Sequence, residues 1–107
     1  MTDFKRISVQ EAAELLATGK AHLADIRDEG SFERGHVTDT MNVGNHNLAQ
    51  FLNHVEEGDS ILVLCYHGVS SQGAAQYIAE QGFDNVYSVD GGFEGWATVL
   101  PEQVTRR

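Results

Sequence analysis

Ile61-Leu62-Val63-Leu64-Cys65-Tyr66-His67-Gly68-Val69-Ser70-Ser71-Gln72-Gly73 places the only cysteine of the chain where an apolar run meets a turn. Residues 61–64 are uninterrupted apolar, with Glu57-Gly58-Asp59 before them, the pattern of a strand buried on both faces. After Cys65 the pattern changes. Gly68 and Ser70-Ser71 supply turn and N-cap chemistry, and Ala74, Ala75, Tyr77 and Ile78 follow at helical spacing up to Gly82, predicting a helix over 71–81. A thiol is thus expected at the carboxyl end of a strand, in a tight loop that opens a helix. Loop N–H groups and the positive end of the helix dipole would form an anion-binding cup around whatever Cys65 attacks.

The rest of the chain alternates in the same way. Ser8-Val9-Gln10-Glu11 fits a capping box, with Ala12, Ala13, Leu15 and Leu16 as the buried stripe and Gly19 as the stop. Residues 21–26 read as a strand ending in Asp25, Arg27 and Asp28. A helical turn is predicted at 31–34, closed by Gly35. Leu48, Phe51 and Leu52, with Val55 beyond, follow helical spacing behind an Asn47-x-x-Gln50 cap. Residues 86–89 read as a third strand, leading into Gly91-Gly92-Phe93-Glu94-Gly95-Trp96 and a last helical turn before Pro101. Strands alternating with helices imply an α/β fold, a central, mostly parallel sheet with helices on both faces. Ligands of such sheets bind beyond the carboxyl ends of the strands, where Asp25, Arg27, Cys65 and Gly91-Gly92 would gather.

Size and charge narrow the function. A chain of 107 residues without repeat or linker is expected to form one domain, residues 1–107. The formal charge of −9 argues against nucleic acid and anionic membranes as partners, and obliges any anion site to overcome a repulsive field. A single cysteine cannot form an internal disulfide, and the opening Met-Thr-Asp-Phe-Lys-Arg has no signal-peptide core. The longest apolar run, residues 61–66, is far too short to span a bilayer. A reducing cytoplasm suits a lone thiol. Five histidines invite a metal, but none falls in a His-x-x-x-His or Cys-x-x-Cys arrangement, so neither a metal nor another cofactor is expected.

Four segments, in order along nearly the whole chain, resemble the single-domain rhodaneses, sulfurtransferases that carry sulfur as a cysteine persulfide. They are Leu23-Ala24-Asp25-Ile26-Arg27-Asp28, Gly35-His36-Val37 with Asn42, the loop Cys65 to Ser70, and Gly91-Gly92-Phe93 with Trp96. Cys-Tyr-His-Gly followed by Ser-Ser in so short a chain is most similar to the GlpE-type thiosulfate sulfurtransferases of bacteria. Asp39-Thr40 stands where the family usually has Gly-Ala, and Val69 where the GlpE type often has Asn. The loop also lacks the Arg or Lys that many thiosulfate-using members place near the cysteine. The resemblance implies Cys65 as the catalytic nucleophile and Tyr66, His67, Gly68, Val69 and Ser70 as the substrate-binding loop. Ser71, Asp25, Arg27, Gly91 and Gly92 would support that loop. Thiosulfate would be the sulfur donor, and cyanide, a small thiol or a dithiol such as a thioredoxin-like protein the acceptor.

The chemistry weighs these roles. For a generic thiol, a fall in pKa of about two units raises the thiolate fraction at neutral pH roughly 25-fold, while nucleophilicity falls roughly 8-fold. The net threefold is worth only ~0.7 kcal/mol, so amides that hold the substrate's charge and the leaving sulfite should contribute more. His67→Ala is then expected to lose only about 3- to 30-fold in kcat/KM. His67 as imidazolium would favour the thiolate; equally, it would be an exposed loop residue without a role. For Arg27, an ion pair with Asp25 or a bond to loop backbone is favoured over substrate contact. His36 is expected to be structural, Gly68 to supply a positive φ or close backbone approach, and Phe93 and Trp96 to pack as core. Glu56-Glu57-Gly58-Asp59 reads as a solvated turn.

Two other functions compete. A cysteine phosphatase or arsenate reductase also sets a thiolate in an anion loop, but needs Cys-x5-Arg, and here that position is Ser71. Rhodanese-like chains also act as binding modules, or as persulfide relays that take sulfur from a protein. An intact Cys65 speaks against a pure scaffold, without separating relay from enzyme.

Overall fold

The computed structural model describes residues 3–106. In chain order the elements are β1 (Lys5–Ile7), α1 (Val9–Ala17), β2 (Ala21–Asp25), α2 (Glu29–Arg34), β3 (Gly35–Val37), β4 (Met41–Asn42) and α3 (Leu48–Asn53). Then follow β5 (Ser60–Leu64), α4 (Ser70–Glu80), β6 (Val86–Val89), α5 (Gly92–Val99), a 3-10 turn (Pro101–Gln103) and β7 (Val104–Arg106). Five strands form one sheet in the order β1-β6-β5-β2-β4, and every neighbouring pair is parallel. The α/β architecture expected from the alternation is therefore present.

The apolar run 61–64 occupies the middle of this sheet, and its period of two sorts the core. Ile61 and Val63 pack with Phe51 of α3 and Ala75, Ile78 and Ala79 of α4. Leu62 and Leu64 point the other way, onto Ala12 of α1 and Phe93 and Trp96 of α5. All four are essentially without exposure, each worth about 1.5–3 kcal/mol relative to an exposed position. In β6 the same alternation puts Val86 on the α3/α4 side and Val89 on the α1/α5 side. A strand gripped from both faces holds its carboxyl end still, and that end carries Cys65.

Local chemistry sets the helix ends. The Ser8–Glu11 capping box is formed, with Ser8 Oγ accepting from Glu11 N–H and Glu11 Oε1 accepting from Ser8 N–H, both at 3.1 Å. Gly19 follows at φ +80°, the left-handed stop. Helix α2 starts two residues earlier than the sequence suggests. Asp28 caps it, accepting from Ser31 N–H and Oγ–H, and those two bonds hold its carboxyl below the usual carboxylate range. Two expectations are corrected. Asn47 stands at the N-cap of α3, as expected, but its side chain does not cap the helix; it turns back, accepting from Gly44 N–H and donating to Asn42 O, and so ties the approach to α3. Nor is Asp59 merely solvated, because it lies 2.8 Å from His22 Nε2 and accepts from Glu56 N–H. His22 and the Glu56 amide hold its carboxyl below its ordinary range.

Strands β1, β3, β4 and β7 were not expected from the sequence. Each has two or three residues, too few for a period of two to show. β3 and β7 form a separate antiparallel pair that brings the end of the described chain back beside Gly35. Between β3 and β4, Asp39 adopts φ +66°; aspartate is among the few residues besides glycine that accept this conformation.

Candidate active site

Cys65 lies just past the end of β5 and is 5% exposed. Its sulfur is ringed by donors. Gly68 N–H reaches Sγ at 3.1 Å and Ser71 N–H at 3.3 Å, and Ser71 Oγ lies 3.3 Å away. Behind Ser71, its Oγ is 2.7 Å from Ser88 Oγ in β6. The neutral thiol donates to Ser71 Oγ; the ionised sulfur accepts from the hydroxyl instead. Burial pushes the Cys65 thiol up, but the Ser71 hydroxyl and the Ser71, Gly68 and His67 amides together outweigh it, and the net direction is downward. No charged side chain is among these causes. The thiolate is favoured by hydroxyl and backbone donors at the N-terminus of α4, where the helix dipole adds its positive end.

Of the two roles open to Ser70 and Ser71 from sequence, donating to the anion or capping the helix, the cap is not formed. The N-cap position is Val69, without a side-chain cap, Ser70 is exposed, and Ser71 is buried with its amide on the sulfur. The sulfur itself takes the place of the capping oxygen, satisfying an N–H that the first turn leaves free.

Helix α5 fixes the back of the loop. Phe93 N–H donates to Cys65 O at 2.8 Å and Glu94 N–H to Tyr66 O at 3.1 Å. With those carbonyls drawn toward α5, the Gly68 and Ser71 amides are left to the sulfur. The approach is so close that a Cβ on Gly92 (φ +59°) would sit 2.6 Å from Cys65 O and from the Tyr66 carbonyl. A Cβ on Gly68 (φ +92°) would meet Gly91 N at 2.8 Å. Both properties foreseen for Gly68, positive φ and close approach, are present, and Gly91-Gly92 does form the turn beside the loop.

A family model described as the Rhodanese-like domain matches residues 8–98. The chain belongs to the rhodanese-like family. Among curated relatives, the thiosulfate sulfurtransferase GlpE of Tolumonas auensis is 49% identical over 98% of this chain and 99% of its own. The protein of the same name from Shewanella oneidensis is 46% identical over 90% and 95%. Among solved structures, reduced Bacillus anthracis CoADR-RHD superposes with TM-score 0.79 at 27% identity, covering 95% of this chain but only 18% of that longer one. A rhodanese-related protein from Thermoplasma volcanium gives TM-score 0.73 at 21% identity, over 89% and 92% of the two chains, a likeness of fold.

In this rhodanese-like chain the other expected site residues fall into two groups. Tyr66, His67, Val69 and Ser70 are exposed on the loop that follows Cys65. His67 Nδ1 lies 3.2 Å from Glu94 Oε1, both side chains 62% exposed, so the imidazole faces outward and the loop receives only its amide. Asp25 and Arg27 form a buried brace. Arg27 Nε and a terminal nitrogen donate to the Asp25 carboxylate, the same nitrogen reaches Gly35 O at 2.8 Å, and the guanidinium lies 4.0 Å over the Phe93 ring. Phe93 is the residue whose amide holds Cys65 O, so the brace supports the loop indirectly. Asn42 ties in the same turn, donating to Asp25 O and Arg27 O. His36 is bonded to Phe32 O and stacked on the Phe32 ring. Ser88 was missed. Its signal was a lone hydroxyl inside the apolar run 86–89, at the parity of Val86 and hence on the α4 side.

Proposed function

We propose that this chain, as one rhodanese-like domain, is a thiosulfate sulfurtransferase in which Cys65 carries the sulfur. The observation that carries the reading is a buried sulfur that accepts from two amides and lies 3.3 Å from a hydroxyl at a helix N-terminus, with its own carbonyl pinned away. Relatives matched over nearly their full length bear the name of this activity.

The Cys65 thiolate attacks the outer sulfur of thiosulfate. The new S–S bond takes its electrons from Cys65, the old S–S bond breaks, and sulfite leaves with that pair, so the charge of −3 is conserved. An acceptor such as cyanide then attacks the outer sulfur of the persulfide, giving thiocyanate and restoring the thiolate. No proton or external oxidant is needed in either step. Loop amides oppose the repulsive net charge of −9 at the point where anionic charge concentrates, and one such donor is typically worth about 3–4 kcal/mol. They do not depend on side-chain identity, so Val69 is tolerated.

Exposed Tyr66 (47%) and Val69 (73%) on the Cys65 loop favour a second reading of the same nucleophile, with a protein dithiol or persulfide as the exchanging partner. A free cysteine fits a reducing cytoplasm. No helix of the described residues is long and apolar enough to cross a membrane. Thiocyanate formation from thiosulfate and cyanide tests the proposal. Wild type is expected to turn over with ping-pong kinetics and Cys65→Ser to be inactive; a fully active Cys65→Ser variant overturns the assignment.

A further inference from the structure

We propose that Ser88 is a positioning residue for Cys65: its hydroxyl donates to Ser71 Oγ and thereby strengthens the bond that the Ser71 hydroxyl gives to the ionised sulfur. The inference rests on the reading of Cys65 as the nucleophile and extends it one residue beyond the loop.

The argument begins with a buried hydroxyl. Ser88 has no exposure and stands in the central sheet, two residues from Val86 and beside Val89. Burying a hydroxyl unbonded costs about 1–3 kcal/mol, so a serine here needs a partner. Strand parity turns it toward α4, and the partner it meets is Ser71 Oγ at 2.7 Å. Ser71 is also without exposure, and its Oγ touches two groups, Ser88 Oγ and Cys65 Sγ.

Counting protons decides the direction. With Cys65 neutral, the three groups carry three protons. If the thiol donates to Ser71 Oγ and Ser71 to Ser88, the Ser88 proton has no acceptor among the hydrogen bonds of the described residues. If Ser88 donates to Ser71 and Ser71 to sulfur, the thiol proton points at the Gly68 and Ser71 amides, which are donors themselves. Either way one buried proton is stranded. With Cys65 ionised, two protons remain and both are placed, Ser88 to Ser71 and Ser71 to sulfur. Removing Ser88 leaves one stranded proton in the neutral form as before, so its effect falls on the ionised form: the Ser88 donation polarises the Ser71 hydroxyl and strengthens its charge-assisted bond to the thiolate.

The ionisable groups on the surrounding elements do not compete for this role. On the loop, His67 pairs with Glu94 of α5, and Tyr66 is exposed. Asp90, at the end of β6, pairs with Arg6, and Asp25, at the end of β2, pairs with Arg27.

Because Cys65 is the only cysteine, iodoacetamide alkylation followed against pH reads it alone and requires no sulfur transfer. Failure of this proposal is thus separable from failure of the activity. Ser88→Ala is expected to move the alkylation inflection upward by about half a pH unit, a shift of roughly threefold in thiolate fraction on the acid side. The plateau above the inflection should rise slightly, because the more basic thiolate is the better nucleophile. Ser71→Ala should move the inflection at least as far. In the Ser71→Ala background, Ser88→Ala should add nothing, since Ser88 acts only through Ser71. An unmoved inflection in Ser88→Ala, or an equal shift in both backgrounds, overturns the proposal. Should Ser88→Ala fold poorly, Ser71→Ala alone remains decisive, because an unmoved inflection there removes the link through which Ser88 acts.

Discussion

Alanine at Gly92 tests how closely α5 holds the loop. Two costs combine. At φ +59° an L side chain is strained by about 1–2 kcal/mol. The added Cβ would also lie 2.6 Å from Cys65 O, Tyr66 C and Tyr66 O, all backbone atoms that no rotamer change can move aside. Restoring ordinary contact requires the start of α5 and the loop to part by about 0.8 Å, an overpacking cost of about 1–3 kcal/mol. The sum is about 2–5 kcal/mol. Gly91 supplies the control, since it has φ +82° but its Cβ would meet nothing closer than Gly95 Cα at 3.6 Å. Gly91→Ala should therefore cost only the strain, about 1–2 kcal/mol. Urea unfolding is expected to show a lower midpoint for Gly92→Ala than for Gly91→Ala at unchanged slope. In the thiosulfate–cyanide assay, parting the Phe93 and Glu94 amides from their carbonyls should lower kcat/KM of the folded Gly92 variant about 10- to 100-fold. Equal midpoints for the two variants, with full activity in Gly92→Ala, would refute the clamp.

Other expectations follow from the same geometry. Arg27→Met leaves the fully buried Asp25 carboxylate without its counter-ion, so a loss of about 3–5 kcal/mol is expected in urea melts. Activity per folded molecule should change little, and a large kcat loss at unchanged stability would place Arg27 on the substrate instead. His67→Ala should fall at the low end of the range set from sequence, about threefold in kcat/KM, because the imidazole faces Glu94; a loss of several hundredfold would show the geometry to be misread. Donors lower the Cys65 pKa, so sulfur transfer should rise with pH to an inflection below that of a free thiol. The depressed folded value also contributes stability that is fully present above the unfolded pKa and lost as pH falls through the folded one. Cys65→Ala should remove that part of the pH dependence from chemical unfolding, and an identical pH profile would contradict it.

The elements legible in the sequence were those long enough to show a period. Residues 61–64 and 86–89 and the α1 and α4 stripes are each read from which neighbours are apolar, a pattern that packing on both sheet faces requires. Strands of two or three residues carry no such pattern; β3 and β7 pair only because distant parts of the chain meet. The site was legible to the same degree. Cys65, Gly68 and Gly92 were identifiable because a thiol at a strand end and glycines at tight turns have few other uses. Side-chain direction was not. The serines read as caps because serine is among the favoured N-cap residues, yet the sulfur takes that place and Ser71 turns inward to Ser88. His67 was open between two roles because sequence does not give side-chain direction; in the fold its imidazole lies beside Glu94.

Intact mass of the reduced protein before and after thiosulfate, with sulfite followed in parallel, tests most directly whether Cys65 carries sulfur. The expected result is gain of one sulfur atom per chain, matched by one sulfite, absent in Cys65→Ser and reversed by cyanide with release of thiocyanate. An unchanged mass, with Cys65 still open to alkylation, would contradict sulfur transfer from thiosulfate to this residue.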